Sequence, residues 1–249
     1  MSIDLNADVG EEASGPRGDA PILGVVTSAS IACGFHAGDA QVMHRTLVEA
    51  ASAGVTVGAH PSYADRAGFG RAEQDVEPDR IADDVLYQVG ALDGLARACG
   101  AHVRYVKPHG ALYNRMAVDV RCAKAVGEAV RAYGSLVLLA PAGTLAVSVA
   151  KRLGVDVATE VFADRAYLPD GRLVPRGSPG AVVTDPSEAA ARAVSLARDH
   201  RVASVEGGFV ALEGSSICVH SDTPGSLEIA RSVRRALEEA GFDIAPFVS

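Results

Sequence analysis

Cysteine is scarce in this chain: Cys33, Cys99, Cys122 and Cys218 are spread over 249 residues with no C-x-x-C pair. That sparseness excludes a disulfide scaffold and leaves reduced, mostly buried thiols as the expectation. Positive charge is in deficit, with 23 Lys+Arg against 31 Asp+Glu and a formal net charge of −8. Such a balance argues against nucleic acid or an anionic membrane as partner. No apolar run approaches the roughly 20 residues that cross a bilayer, and Met1-Ser2-Ile3-Asp4 starts acidic where a signal peptide would be basic and then apolar. A soluble, cytoplasmic protein is expected. Low-complexity tracts and internal repeats are also missing, so one domain over residues 1–249 is the simplest parse. Several catalytic signatures are absent as well. There is no G-x-x-x-x-G-K-[ST] phosphate loop, no G-x-G-x-x-G opening a helix, and no G-x-S-x-G elbow presenting a serine.

Hydrophobic residues make up 48% of the chain, enough for a large core, and they are patterned. Short apolar runs alternate with segments of helical period, the pattern of a parallel sheet wrapped by helices. Candidate strands are Ile3 to Leu5, Ile31 to Cys33, Val55 to Val57, Val103 to Val106, Leu136 to Leu139, Val155 to Ala158 and Ile217 to Val219. Ile81, Val85, Leu86, Val89, Leu92, Ala96 and Cys99 mark one face of a long helix, and Leu227, Ala230, Val233 and Leu237 mark another. Asp185-Pro186-Ser187-Glu188 reads as a capped helix start, and Thr223-Pro224 as a second one. The irregular stretches are Gly10 to Asp19, His60 to Pro78 and Ala163 to Pro179. The second of these, with Gly68 and Gly70 as hinges, is the first candidate for a lid.

Costly polar residues follow the strand ends. Strand one runs into Asn6-Ala7-Asp8-Val9-Gly10-Glu11, and the next two into Gly34-Phe35-His36-Ala37-Gly38-Asp39 and Gly58-Ala59-His60-Pro61-Ser62-Tyr63-Ala64-Asp65. The fourth runs into Lys107-Pro108-His109-Gly110-Ala111-Leu112-Tyr113-Asn114, and the last into His220-Ser221-Asp222-Thr223. Parallel strands deliver their carboxyl ends to one face, so these five segments converge on one pocket. His36, His60, His109 and His220 sit there, while His44, His102 and His200 do not. Histidines beside carboxylates are also the raw material of a metal site, but no compact H-x-x-x-H pair supports one, and no intrinsic metal is assigned. Cys33, beside Gly34 at a strand end, reads as a buried structural thiol.

These same segments, with Phe162-Ala163-Asp164-Arg165-Ala166-Tyr167, Gly171-Arg172-Leu173-Val174-Pro175-Arg176 and Cys218-Val219-His220, resemble the LamB/YcsF family from end to end. The resemblance implies a seven-stranded parallel β/α (TIM-like) barrel of the glycoside hydrolase and deacetylase type. It implies the A subunit of an ATP-dependent 5-oxoprolinase, working with two partner subunits to open the lactam of 5-oxo-L-proline to L-glutamate with cleavage of ATP, carried with its divalent cation. The chain departs from the family at Ser30, usually Asn, at Ser221, usually Gly, and at Glu12-Ala13-Ser14, where the family has Gly-Phe-Gly.

For that chemistry Asp8 is the first choice of general base, with His60 or His109 second, and Lys107 is set against a phosphate or developing oxyanion. Arg71 or Arg165 would fork onto the substrate carboxylate, and Asn6 and Asn114 would fix the ring. His36 and His220 complete the expected substrate-binding wall. The nucleotide sits either in the barrel mouth, held by Lys107, or on a partner, and the partner is favoured. Two other readings stay open: a metal-dependent amidohydrolase or deacetylase using Asp8 with histidines as ligands, and a non-catalytic subunit that binds 5-oxoproline.

Overall fold

The computed structural model describes residues 1–11, 18–222 and 225–248. Seven parallel strands close on themselves: β1 (Ser2–Val9), β2 (Ser28–Ala32), β3 (Thr56–His60), β4 (Val103–Val106), β5 (Val137–Pro141), β6 (Val157–Phe162) and β9 (Ser216–Cys218). The seam is β9 against β1, with Asn6 opposite Cys218. Between β6 and β9 an antiparallel hairpin, β7 (Arg201–Ala203) with β8 (Phe209–Ala211), stands outside the barrel. A short β10 (Asp243–Ile244) pairs with the start of β1.

Helices wrap this barrel, and their limits follow from sequence chemistry. In α3 (Pro78–Ala98) the buried face carries Ile81, Val85, Val89, Leu92 and Ala96, the expected stripe, with Leu86 packed at its edge. In α7 (Pro186–Asp199) the Asp185 carboxylate accepts the amides of Ser187 and Glu188 as an N-cap, with proline at the first position. The last helix, α8 (Ser226–Glu239), buries Ala230, Val233 and Leu237. The start expected at Thr223-Pro224 lies outside the described residues, as does most of the Gly10 to Asp19 stretch, including Glu12-Ala13-Ser14.

All seven expected strands are present, but they are not apolar on both faces. Along β1, Ile3, Leu5, Ala7 and Val9 pack outward into the hydrophobic core, whereas Asp4, Asn6 and Asp8 point into the barrel and bond to one another's neighbours. Ser28 and Ser30 do the same from β2, Glu160 from β6 and Ser216 from β9. The barrel interior is therefore a polar column. This is why apolar runs end too early as a guide: β1 continues to Val9 and β6 to Phe162, through the residues that carry the site. Tyr105 fills the column beneath the site, and Gly58 makes room for it, since a Cβ there would lie 2.2 Å from the Tyr105 ring. Cys33, Cys122 and Cys218 are buried and no cysteine is paired. Burial pushes the Cys33 thiol up to about 12, in keeping with a structural role.

Candidate active site

At the carboxyl ends of the strands the polar column opens into a cavity of about 900 Å³. Asp8, His60, Lys107, His109, Glu160 and His220 all line it. Two groups of side chains make up its floor.

The first is centred on Lys107, which follows β4 and is buried. Its Nζ lies 2.8 Å from Asp8 Oδ1, 2.8 Å from Glu160 Oε1, 3.2 Å from Asn6 Oδ1 and 3.1 Å from Cys218 Sγ. Asn6 in turn donates to Glu160 Oε1 (2.9 Å) and to Ser216 Oγ (2.6 Å), and the Tyr113 hydroxyl donates to Glu160 Oε2 (2.7 Å). Burial opposes a charged ammonium, yet Asp8, Cys218 and Glu160 outweigh it and hold Lys107 well above its ordinary value. Burial likewise opposes ionised Asp8, but His60 and Lys107 hold its carboxyl well below the usual range. Asp8 is thus a buried carboxylate that stays ionised at neutral pH. Ser221, one of the departures from the family pattern, donates its hydroxyl to the Asp8 carbonyl.

The second group is made of imidazoles around Glu11. Its Oε1 lies 3.2 Å from His36 Nε2, 3.5 Å from His109 Nδ1 and 4.0 Å from His60 Nε2. His60 Nε2 and His109 Nδ1 face each other at 3.0 Å, and Asp8 Oδ2 is 3.5 Å from His60 Nε2. The rings of His36 and His109 stack, with centroids 3.8 Å apart. Gly70 drapes its backbone over that stack: a Cβ there would lie 2.8 Å from His36 Cβ and 2.9 Å from His109 Cδ2, and its φ of +66° is one that glycine adopts freely. Burial, then the neighbouring His60, pushes His36 down to about 2, and burial with His36 pushes His109 well below the usual range. Burial and the charge of Asp8 raise the Glu11 carboxyl well above its own.

The expected site residues fall into three places. Asp8, His60, Lys107 and His109 meet on the floor, as topology requires. His36 and Asn6, expected to bind substrate, lie behind it: His36 is 1% exposed and Asn6 is fully buried, and neither reaches the cavity. The remainder line the walls. Asn114 is exposed on α4 (Gly110–Val118), and His220 holds Asp164 at 3.0 Å while stacking on Phe162. Arg165 binds the carbonyls of Val174 (2.7 Å) and Ala181 (3.2 Å), which anchors the Ala163 to Pro179 stretch as the outer wall. Arg71 sits over the Phe69 ring, 4.7 Å from its centroid, and shares Asp222 with Arg176, each at 2.5 Å. Glu11, Glu160, Asp164 and Asp222 complete these contacts; the sequence placed Glu11 and Asp222 at strand ends and Asp164 in a family motif without giving them a role, and Glu160 escaped it. A glutamate inside the apolar run of β6 was the legible signal for Glu160.

The model of the LamB/YcsF family matches residues 3–249. The chain belongs to that family. It is 50% identical to one of the 5-oxoprolinase A subunits of Pseudomonas syringae pv. tomato, over 99% of this chain and 97% of that one. The crystal structure of a lactam utilization protein from Thermus thermophilus superposes with a TM-score of 0.92 at 42% identity, covering 99% of this LamB/YcsF chain and all of the other. A polysaccharide deacetylase from Bacillus cereus superposes at a TM-score of 0.50 and 10% identity, over 99% and 91% of the two chains, which shows a shared barrel architecture. Among the described residues no helix is long and apolar enough to cross a membrane.

Proposed function

We propose that this LamB/YcsF chain is the ring-opening subunit of an ATP-dependent 5-oxoprolinase, converting 5-oxo-L-proline to L-glutamate together with partner subunits in the cytoplasm. The observation that carries the reading is the buried Asp8 carboxylate on the cavity floor, with one oxygen 2.8 Å from Lys107 Nζ and the other 3.5 Å from His60 Nε2. It stands in a chain half identical to a 5-oxoprolinase A subunit.

A five-membered lactam is an unstrained amide, so its carbonyl is a poor electrophile and its nitrogen a poor leaving group, and coupling to ATP supplies the activation. Transfer of the γ-phosphoryl group to the amide oxygen releases ADP and gives an imidate phosphate. Water then adds to the ring carbon as Asp8 takes its proton. The carbon–nitrogen bond breaks with protonation of the nitrogen, leaving an acyl phosphate, and a second water releases phosphate and glutamate. The buried Lys107 ammonium is positioned to offset charge growing on the substrate oxygen. Arg71 is the mouth cation assigned to the substrate carboxylate, with Asn114 on the same wall. Because Lys107 is already matched by Asp8 and Glu160, and no phosphate loop is present in the sequence, the nucleotide is assigned to a partner subunit.

The test is release of glutamate and phosphate from 5-oxoproline and ATP, measured with this chain alone and with its partner subunits. Activity confined to the mixture is expected. Turnover by the mixture without this chain, or undiminished turnover with Asp8→Asn in its place, would overturn the reading.

A further inference from the structure

The three imidazoles grouped around Glu11 have committed their N–H groups. His60 Nδ1 donates to the Lys107 carbonyl (2.6 Å), and His109 Nε2 to the Phe69 carbonyl (2.8 Å). His36 Nδ1 donates to Ser62 Oγ (2.9 Å), because the Ser62 hydroxyl gives its own proton to the Tyr63 carbonyl (2.9 Å). With the rings neutral, these partners fix each tautomer and leave three ring lone pairs, His36 Nε2, His60 Nε2 and His109 Nδ1, on the side of Glu11 Oε1. All four acceptor atoms lie within 4.8 Å of one another. One proton placed among them satisfies a single pair and leaves the remaining lone pairs facing acceptors.

We propose that Glu11, His36, His60 and His109 form a binding site for one divalent first-row transition-metal ion of the zinc or cobalt class. Imidazoles that give their outer N–H to a carbonyl or hydroxyl and turn the other nitrogen inward are how proteins orient metal ligands. A tetrahedral ion with metal–nitrogen bonds near 2.0–2.1 Å spaces its ligand atoms by about 3.3 Å. Three of the separations here, 3.0, 3.2 and 3.5 Å, bracket that value. His60 at 4.0 Å from Glu11 closes by less than an ångström, and the rings of His36 and His109, stacked and parallel within 3°, must tilt for both nitrogens to reach one ion. Three nitrogens and one oxygen suit zinc, cobalt or ferrous iron and are a poor match to magnesium or calcium, which prefer oxygen. His60 and His109 line the cavity, which gives an ion its way in, while Glu11 and His36 close the site from behind. Ser62, which orients His36, is itself clamped at its amide and carbonyl by Gln88 of α3.

The test needs neither partner subunits nor lactam turnover, so it can fail independently of the proposed reaction. The purified full-length chain is stripped with chelator, then titrated with Zn²⁺ and, separately, with Co²⁺. Elemental analysis is expected to find about one equivalent of zinc after desalting, and the cobalt form to show the visible absorption of a four- or five-coordinate site. Glu11→Gln, which keeps the side-chain shape, is expected to weaken binding more than about 100-fold, and Ser62→Ala, which removes only the orienting hydroxyl, about 10-fold. His44→Ala, on the exposed side of α2 (Ala40–Ala53), is expected to bind like the parent. Circular dichroism confirms that each variant is folded. No saturable uptake of either metal, or uptake unchanged in both Glu11→Gln and Ser62→Ala, overturns the site and leaves a protonated Glu11 as the bridge between the rings.

Discussion

Lys107 and His60 stand side by side on the barrel floor, joined by the bond from His60 Nδ1 to the Lys107 carbonyl, yet their surroundings are matched in opposite ways. Around the lysine, donors meet acceptors: one ammonium lies between two carboxylates, an amide bridges Lys107 to Glu160, and a tyrosine hydroxyl caps the remaining glutamate oxygen. Around Glu11, acceptor faces acceptor across 3.0 to 4.0 Å. A balanced network of buried charges fixes the barrel's interior geometry, since removing any member strands the others. An unbalanced one has capacity left for something that arrives later. The same strand ends therefore supply both a fixed electrostatic floor and a reactive one, and Asp8, with one oxygen in each group, couples them.

The largest expected effect strikes that shared residue. Asp8→Asn keeps the shape but removes the proton acceptor, so turnover by the assembled enzyme should fall by about 10²- to 10⁴-fold with little change in KM. Steady-state kinetics check this, and a thermal melt close to the parent's shows that the loss is chemical.

Lys107→Met separates the two groups by stability. It leaves Asp8 and Glu160 buried without their cation, which should cost about 3–5 kcal/mol in urea unfolding. A loss below about 1 kcal/mol would mean that the carboxylates relax or protonate easily, and that the lysine network is less fixed than its distances indicate.

How much of this was legible beforehand follows from where each signal lies. The helical face from Ile81 to Ala96 and the Asp185 cap are local patterns, readable within one segment, and both are present. The convergence of Asp8, His60, Lys107 and His109 was also legible, because parallel topology alone brings strand ends together. What could not be read is pairing across the barrel. Asn6 meets Glu160 over 154 positions, and Ser216 meets Asp4 over 212, with no short spacing to betray either. Asn6 thus reads as a substrate contact until the closed barrel turns it inward beneath the floor. Glu11 and its three imidazoles come from four separate strand ends, so no H-x-x-x-H pair announces them.

A third experiment probes the far end of the polar column, where Asp4 accepts from Thr27 (2.7 Å), Ser28 (2.7 Å) and Ser216. Burial wins over these bonds and raises the Asp4 carboxyl from 3.8 to about 6. A raised carboxyl favours the folded state while protonated, so its contribution is complete below about pH 4 and is lost as pH rises towards about 6, amounting to about 3 kcal/mol. Glu11 is raised and slopes the same way, whereas depressed Asp8 acts in the opposite sense, at lower pH. Urea unfolding between pH 4 and 7 should show Asp4→Asn losing this segment of the slope. An identical slope in parent and variant would assign it to Glu11.

The smallest effect is the sharpest on the comparison. In metal-free protein, the Glu11 carboxyl is raised by burial and by Asp8, so a neutral side chain of the same shape replaces a group that resists ionisation. Glu11→Gln should therefore change stability at neutral pH by less than about 1 kcal/mol, against the several lost at Lys107, because no buried charge is stranded. The amide, like the protonated carboxyl it replaces, can donate to His36 Nε2. Stabilisation by Glu11→Gln would mark the parent's lone-pair cluster as a store of repulsion held for a ligand. A cost as large as that of Lys107→Met would instead show that Glu11 is already matched, and would erase the contrast between the two halves of the floor.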